Sequence, residues 1–206
     1  MSDIDALCEA CCDGDVETVE DILNREGVDI NATDGFGDTA LMCAMLYDQC
    51  NIVRALLARP GLSLAKTNSA GSTALHYACR YNRSSVIRIF CQDRRASARI
   101  VNKKNKAGDT ALMSGVRWGC LDSVKELDMV EGIDFHTQNR EGRNLVEEAR
   151  MFQKYLVLKY LIKRKVDSLK VIAAHRVAQY VQKESDVEEL EIPTSLHGLV
   201  VGFMDS

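Results

Sequence analysis

Proline is almost missing from this chain: 206 residues hold only Pro60 and Pro193. With 46% apolar and 27% charged residues, that scarcity excludes collagen-like and disordered classes and favours a helix-rich globular chain. No run approaches the ~18 consecutive apolar residues of a membrane helix, and the acidic start, Met1-Ser-Asp-Ile-Asp-Ala, lacks the positive charge of a secretory signal. A soluble, intracellular protein, cytoplasmic and also nuclear, is the expectation. The eight cysteines follow no disulfide framework, which fits a reducing compartment. Neither a Gly-x-Gly-x-x-Gly stretch, a Walker loop nor a His-Glu-x-x-His motif occurs, and His76, His136, His175 and His197 fall in unrelated parts of the chain. A thiol nucleophile needs a positioned base, so no catalytic residue is assigned, no cofactor is expected and no enzyme is predicted.

What the chain does have is charge polarity and repetition. Residues 1–34 carry eleven acids against Arg25, residues 150–183 nine bases against Asp167, and residues 184–206 six acids and no base. Gly-[Asp/Ser]-Thr-Ala-Leu occurs at Gly37–Leu41, Gly71–Leu75 and Gly108–Leu112, with a degenerate copy at Gly142–Val146. The glycines are 34, 37 and 34 residues apart, and the longer spacing comes from three extra residues between Gln92 and Ile100. Seven positions after each glycine stands a small residue (Ala44, Ala78, Gly115, Ala149); apolar pairs follow at Ile52-Val53, Val86-Ile87, Ser123-Val124 and Val157-Leu158, then at Leu56-Leu57, Phe90-Cys91, Leu127 and Leu161-Ile162. Each unit reads as two short helices, the first packing closely through its small residue and the second burying one face. One period earlier, Leu7, Ala10, Val16, Val19, Ile22 and Leu23 take matching places.

On this period and pattern the chain resembles the ankyrin repeat, with Ala at the usual proline position and the motif histidine only at His76. The resemblance implies an all-α solenoid over residues 1–165, with units near 3–34, 35–68, 69–105, 106–139 and 140–164, the outer two atypical as caps. It further implies that His76 orders its turn by hydrogen bonding.

After Lys165 the repeat stops. Asp167–Val181 reads as a helix, with Asp167 or Ser168 as N-cap and a stripe of Leu169, Ile172, Ala173, Val177, Tyr180 and Val181. A polar spacer leads to Leu190-Glu-Ile-Pro-Thr-Ser-Leu196, where Pro193 favours extended chain before it. This order is similar to a SOCS box, the module that ends ankyrin-type substrate receptors of cullin ubiquitin ligases. The resemblance implies that residues 166–206 form a helical module in which Leu169, Ala173 and Val177 dock Elongin B/C, while Leu190, Ile192, Pro193 and Leu196 contribute to cullin choice. Ala173 stands where the family carries Cys, and Glu191 interrupts the proline element. A helical cap on the last repeat is the other reading, and the two are compatible.

Cys8, Cys11 and Cys12 lack the second ligand pair of a structural zinc site, so no metal ligands are assigned; Cys43 and Cys91 read as core packing. Ten residues after each glycine stand Tyr47, Tyr81, Trp118 and Phe152, with Arg80 and Arg117 each just before its ring. Aromatics beside arginine suit an interface, and residues at one frame position project to one side of a solenoid; the alternative is that the rings fold onto their own repeats. Residues 80–106 carry nine bases against Asp93, which suggests an acidic or phosphorylated protein segment as target rather than nucleic acid. The reading is a non-enzymatic adaptor that links a target protein to an Elongin B/C–cullin ligase, with a stand-alone ankyrin scaffold or inhibitor as its rival.

Overall fold

The computed structural model describes residues 2–164, and among these there is no strand. The chain divides into a unit of residues 1–158 and a unit of residues 159–206; of the second, residues 159–164 are described and are helical. The first contains α1 (Asp3–Asp13), α2 (Val16–Leu23), α3 (Ala40–Leu46), α4 (Cys50–Ala58), α5 (Ala74–Arg80), α6 (Ser84–Cys91), α7 (Ala98–Val101), α8 (Ala111–Trp118), α9 (Leu121–Asp128) and α10 (Leu145–Met151). α7 is the extra segment of the third repeat. No helix among the described residues is long and apolar enough to cross a membrane.

The helices stack in two layers. α1, α3, α5, α8 and α10 pack in sequence as one layer, and α2, α4, α6 and α9 as the other. Their contact positions recur at one repeat interval: Leu41, Leu75 and Leu112 are buried, as are Ala44, Ala78 and Ala149 in the first-layer helices and Val53, Ile87 and Val124 in the second. Each helix pair has too little apolar surface of its own, so stability comes from the interfaces between neighbours. In the first repeat Leu7, Ala10, Val19 and Ile22 are buried, but Val16, the first residue of α2, is 37% exposed and Leu23 only half-buried. Cys91 is likewise half-buried; at the end of α6 the fully buried position belongs to its neighbour Phe90.

Two local devices set the layers. Thr39 and Thr110 cap α3 and α8 by accepting from the amides of Met42 and Met113, each at 3.3 Å, and Asn144 accepts from Val146 and Glu147 at 3.0 and 3.1 Å. After each first helix the chain turns through one left-handed residue, Gly14 (φ 82°), Asp48 (φ 60°), Asn82 (φ 56°), Gly119 (φ 78°) or Gln153 (φ 55°). Asn82 Oδ1 then accepts from Ser123 N at 3.1 Å and Asp48 Oδ1 from Val86 N at 3.4 Å. Each thus satisfies an amide in the first turn of the next repeat's second helix, which has no side-chain cap of its own.

Candidate functional site

The turn before each first helix is organised by one polar side chain. Three residues before the repeat glycine stand Asp34, Asn68, Asn105 and Asn139, and each Oδ1 accepts two backbone amides: Phe36 and Asp38 at 2.9 Å, Ala70 and Ser72 at 3.0 Å, Ala107 and Asp109 at 2.9 and 3.0 Å, Glu141 and Arg143 at 3.1 and 3.0 Å. This is the double acceptance an Asx side chain offers a turn. It was legible in the repeat frame as a column of Asp and Asn, but a search confined to residues after the glycine passes over it. Successive turn tips are stitched together, Lys106 N donating to Ala70 O and Arg140 N to Ala107 O, each at 3.0 Å.

Between these tips and the first-layer helices runs a file of polar side chains. Tyr77 Oη donates to both oxygens of Asp38 at 3.0 Å and accepts from Asn68 Nδ2 at 3.0 Å. Burial and the neighbouring Asp38 carboxylate push the phenol up to about 12. Beside it on α5, His76 Nδ1 accepts from Thr73 N at 3.1 Å, which leaves the proton on Nε2 to be donated to Asp109 O, one repeat on, at 3.0 Å. Burial holds the imidazole below its ordinary range. The ordering role that the resemblance implied for His76 is thereby extended: the ring joins the third turn to the fourth.

The next link is ionic. Arg117 Nε donates to Glu148 Oε1 at 2.6 Å, and its Nη1 lies 2.7 Å from Asp109 Oδ2. Arg143 Nε donates to Glu148 Oε2 at 2.6 Å, and Asn139 Nδ2 to Asp109 Oδ1 at 3.3 Å. The side chain of Glu148 is 0% exposed and that of Asp109 2%, so the guanidinium neutralises buried carboxylates. Arg117 is therefore not the free charge partner that the sequence suggested; its charge is held within the solenoid.

The aromatic column, by contrast, is open. Tyr47, Tyr81, Trp118 and Phe152 are 51, 45, 52 and 40% exposed. Each stands at the end of its first-layer helix, just before the left-handed turn, where it cannot fold under the following helix. The column is laced by cations: Arg80 Cζ lies 4.5 Å from the Trp118 ring centroid and 5.5 Å from that of Tyr81, and Arg117 Cζ 5.5 Å from that of Phe152. Arg80 is exposed and forms no salt bridge among the described residues. Beside it opens a pocket of about 140 Å³, lined among others by His76, Tyr77, Asp109 and Trp118.

The basic third repeat is less available than its composition suggested. Arg83 donates to Leu46 O, Arg95 to Leu57 O and Asp93, Lys103 to Ala65 O and Lys104 to Gln138 O, and Arg88 pairs with Glu126. Arg80, Arg94, Arg99 and Lys106 remain as the open cations of that stretch. The proposed Elongin residues Leu169, Ala173 and Val177 and the cullin residues Leu190, Ile192, Pro193 and Leu196 lie outside the described residues.

The sequence assigned no metal ligands, because Cys8, Cys11 and Cys12 have no second ligand pair at short spacing. Folding supplies what spacing did not: the thiols of Cys8 and Cys43 and the Asp34 carboxylate lie within 4.8 Å of one another.

A family model described as ankyrin repeats (3 copies) matches residues 7–102 and 63–139. No curated protein matches the chain.

Proposed function

This chain belongs to the ankyrin-repeat family, a family of protein-interaction modules, and from that premise we propose that it holds a target protein along the aromatic column. The observation that carries this reading is that Tyr47, Tyr81, Trp118 and Phe152, one per repeat, are all at least 40% exposed on the same helix ends. Large exposed aromatics at one position of successive repeats mark a binding site, and rigid rings give large contact area at low entropy cost. Arg80 adds a charge without a carboxylate partner among the described residues, so the matching segment alternates apolar side chains with a carboxylate or phosphate set against Arg80. The chemistry asked of this surface is binding. Quantitative comparison of proteins retained by the wild-type chain with those retained by Trp118→Ala and Arg80→Glu tests the assignment. Loss of the same target from both variants supports it, and an unchanged set overturns it.

The finer reading is a ubiquitin-ligase adaptor of the cytoplasm and nucleus, with residues 166–206 docking Elongin B/C through Leu169, Ala173 and Val177. It is supported by the register of those three residues and by the Leu190-x-Ile-Pro element after them. Its mechanism would be tethering, which raises the target's effective concentration near the ligase. Co-expression with Elongin B/C decides it. A complex lost in Leu169→Asp supports the adaptor, and no complex with the intact chain leaves the scaffold reading in its place.

A further inference from the structure

The junction of the first two repeats departs from the repeat pattern three times, and the three departures meet. At the turn position where the later repeats carry Asn68, Asn105 and Asn139, the second repeat carries Asp34. The amide does the turn's work as well as the carboxylate, since both accept the same two backbone amides. The charge on Asp34 is therefore surplus to the turn. On α3, Cys43 occupies the column that continues as Tyr77, Ser114 and Glu148; on α1, Cys8 occupies that of Met42, His76 and Met113. Both thiols are buried, at 7 and 5% exposure, and Asp34 is half-buried.

We propose that Cys8, Cys43 and Asp34 form a zinc site that clips the first repeat to the second. Their ligand atoms already lie within 4.8 Å of one another. A tetrahedral ion with bonds of about 2.3 Å to sulfur and 2.0–2.2 Å to oxygen needs them closer by on the order of 1 Å, within reach of side-chain rotation. Two sulfurs exclude magnesium and calcium, which take oxygen shells, and suit a borderline-soft ion without geometric preference of its own. The carboxylate is pre-oriented because Oδ1 is fixed by the amides of Phe36 and Asp38 at 2.9 Å, which leaves Oδ2 for the metal. Such outer bonds steady a ligand. A further sulfur, Cys12, lies against Cys43. On binding, the protons of Cys8 and Cys43 pass to solvent and two thiolates and a carboxylate enclose the dication.

The test uses the reduced full chain with Co²⁺ as probe and Zn²⁺ as competitor. One Co²⁺ per chain is expected to give a thiolate-to-metal charge-transfer band and tetrahedral d–d bands, both abolished by stoichiometric Zn²⁺. Cys8→Ser and Cys43→Ser each lower the charge-transfer intensity of the site by about half or more, as one of two thiolates is lost, and Cys50→Ser, outside the trio, leaves it intact. Asp34→Asn keeps the turn, as its three Asn counterparts show, and weakens binding by no less than the roughly 10–100-fold that loss of an outer-shell partner costs. Absence of the band at stoichiometric cobalt, its undiminished intensity in Cys8→Ser and Cys43→Ser, or unchanged affinity in Asp34→Asn overturns the site. If either serine variant fails to fold, as judged by helical circular dichroism, Asp34→Asn decides by itself.

Discussion

The guanidinium of Arg80 lies over the indole of Trp118, with its Cζ 4.5 Å from the ring centroid, so that a cation of one repeat rests on the aromatic of the next. Arg117 repeats the relation one period later over Phe152, at 5.5 Å. The two arginines share a frame position and a ring contact, yet differ in what else they hold: Arg117 also binds two buried carboxylates, and Arg80 binds none among the described residues.

Replacing Arg80 by Ala should accordingly change stability by less than about 1 kcal/mol, the scale of an exposed cation–π contact. Because Trp118 is the sole tryptophan, its emission should move to longer wavelength as the covering cation is lost. Urea unfolding followed by fluorescence reads both; a loss above ~2 kcal/mol would make Arg80 a structural residue rather than a binding one.

Arg117→Ala should behave oppositely. It takes the cation from Asp109, which keeps only Asn139, and one of two arginines from Glu148, which keeps Arg143; these side chains are 2 and 0% exposed, and removing one partner of a buried ion pair costs about 3–5 kcal/mol. Arg117→Lys should recover little, because an ammonium cannot reproduce the forked contacts to two carboxylates. Chemical denaturation of the three proteins checks the order wild type, lysine, alanine.

His76 should make the fold sensitive to mild acid. Burial depresses its folded-state pKa below the ordinary value of 6.5, so the unfolded chain binds the proton more readily and stability rises with pH across that interval. The stabilisation is complete above about 6.5 and is lost as pH falls toward the folded-state value, by at most about 1.4 kcal/mol per pH unit. Asp93 and Glu126, held below the usual carboxylate range chiefly by bonds from Arg95 and Arg88, lose their contributions in a lower window. Melting temperatures from pH 7.5 down to about 5 should therefore fall for the wild type and stay nearly flat for His76→Gln.

Gly108 tests the stitching of the turns. Its φ is +79°, and a Cβ there would sit 2.7 Å from Arg140 N in the following turn, whereas at Gly27, with φ +82°, it would meet nothing within 4 Å. Ala at either site bears the left-handed penalty of about 1–2 kcal/mol. Only Gly108→Ala should also displace the neighbouring turn, so its loss in thermal unfolding should exceed that of Gly27→Ala. Equal losses would show that the tips are not coupled.

The sequence by itself determined the period, the pairing of helices, the buried leucine and alanine columns and the file of aromatics, since residues at one frame position must face one way once the units stack. Even the turn-forming Asp34, Asn68, Asn105 and Asn139 stand in that frame. Tertiary structure alone decided which charges are free. Glu147 is exposed and Glu148 buried; the first closes the capping box of α10 by accepting from Asn144 N at 2.8 Å, and only the packing of α10 against α8 aims the second at Arg117. The same holds for Cys8, Asp34 and Cys43, which come from a helix, a turn and a second helix of two repeats. No spacing rule finds them, because ligands drawn from separate elements acquire their distances from packing and not from the chain.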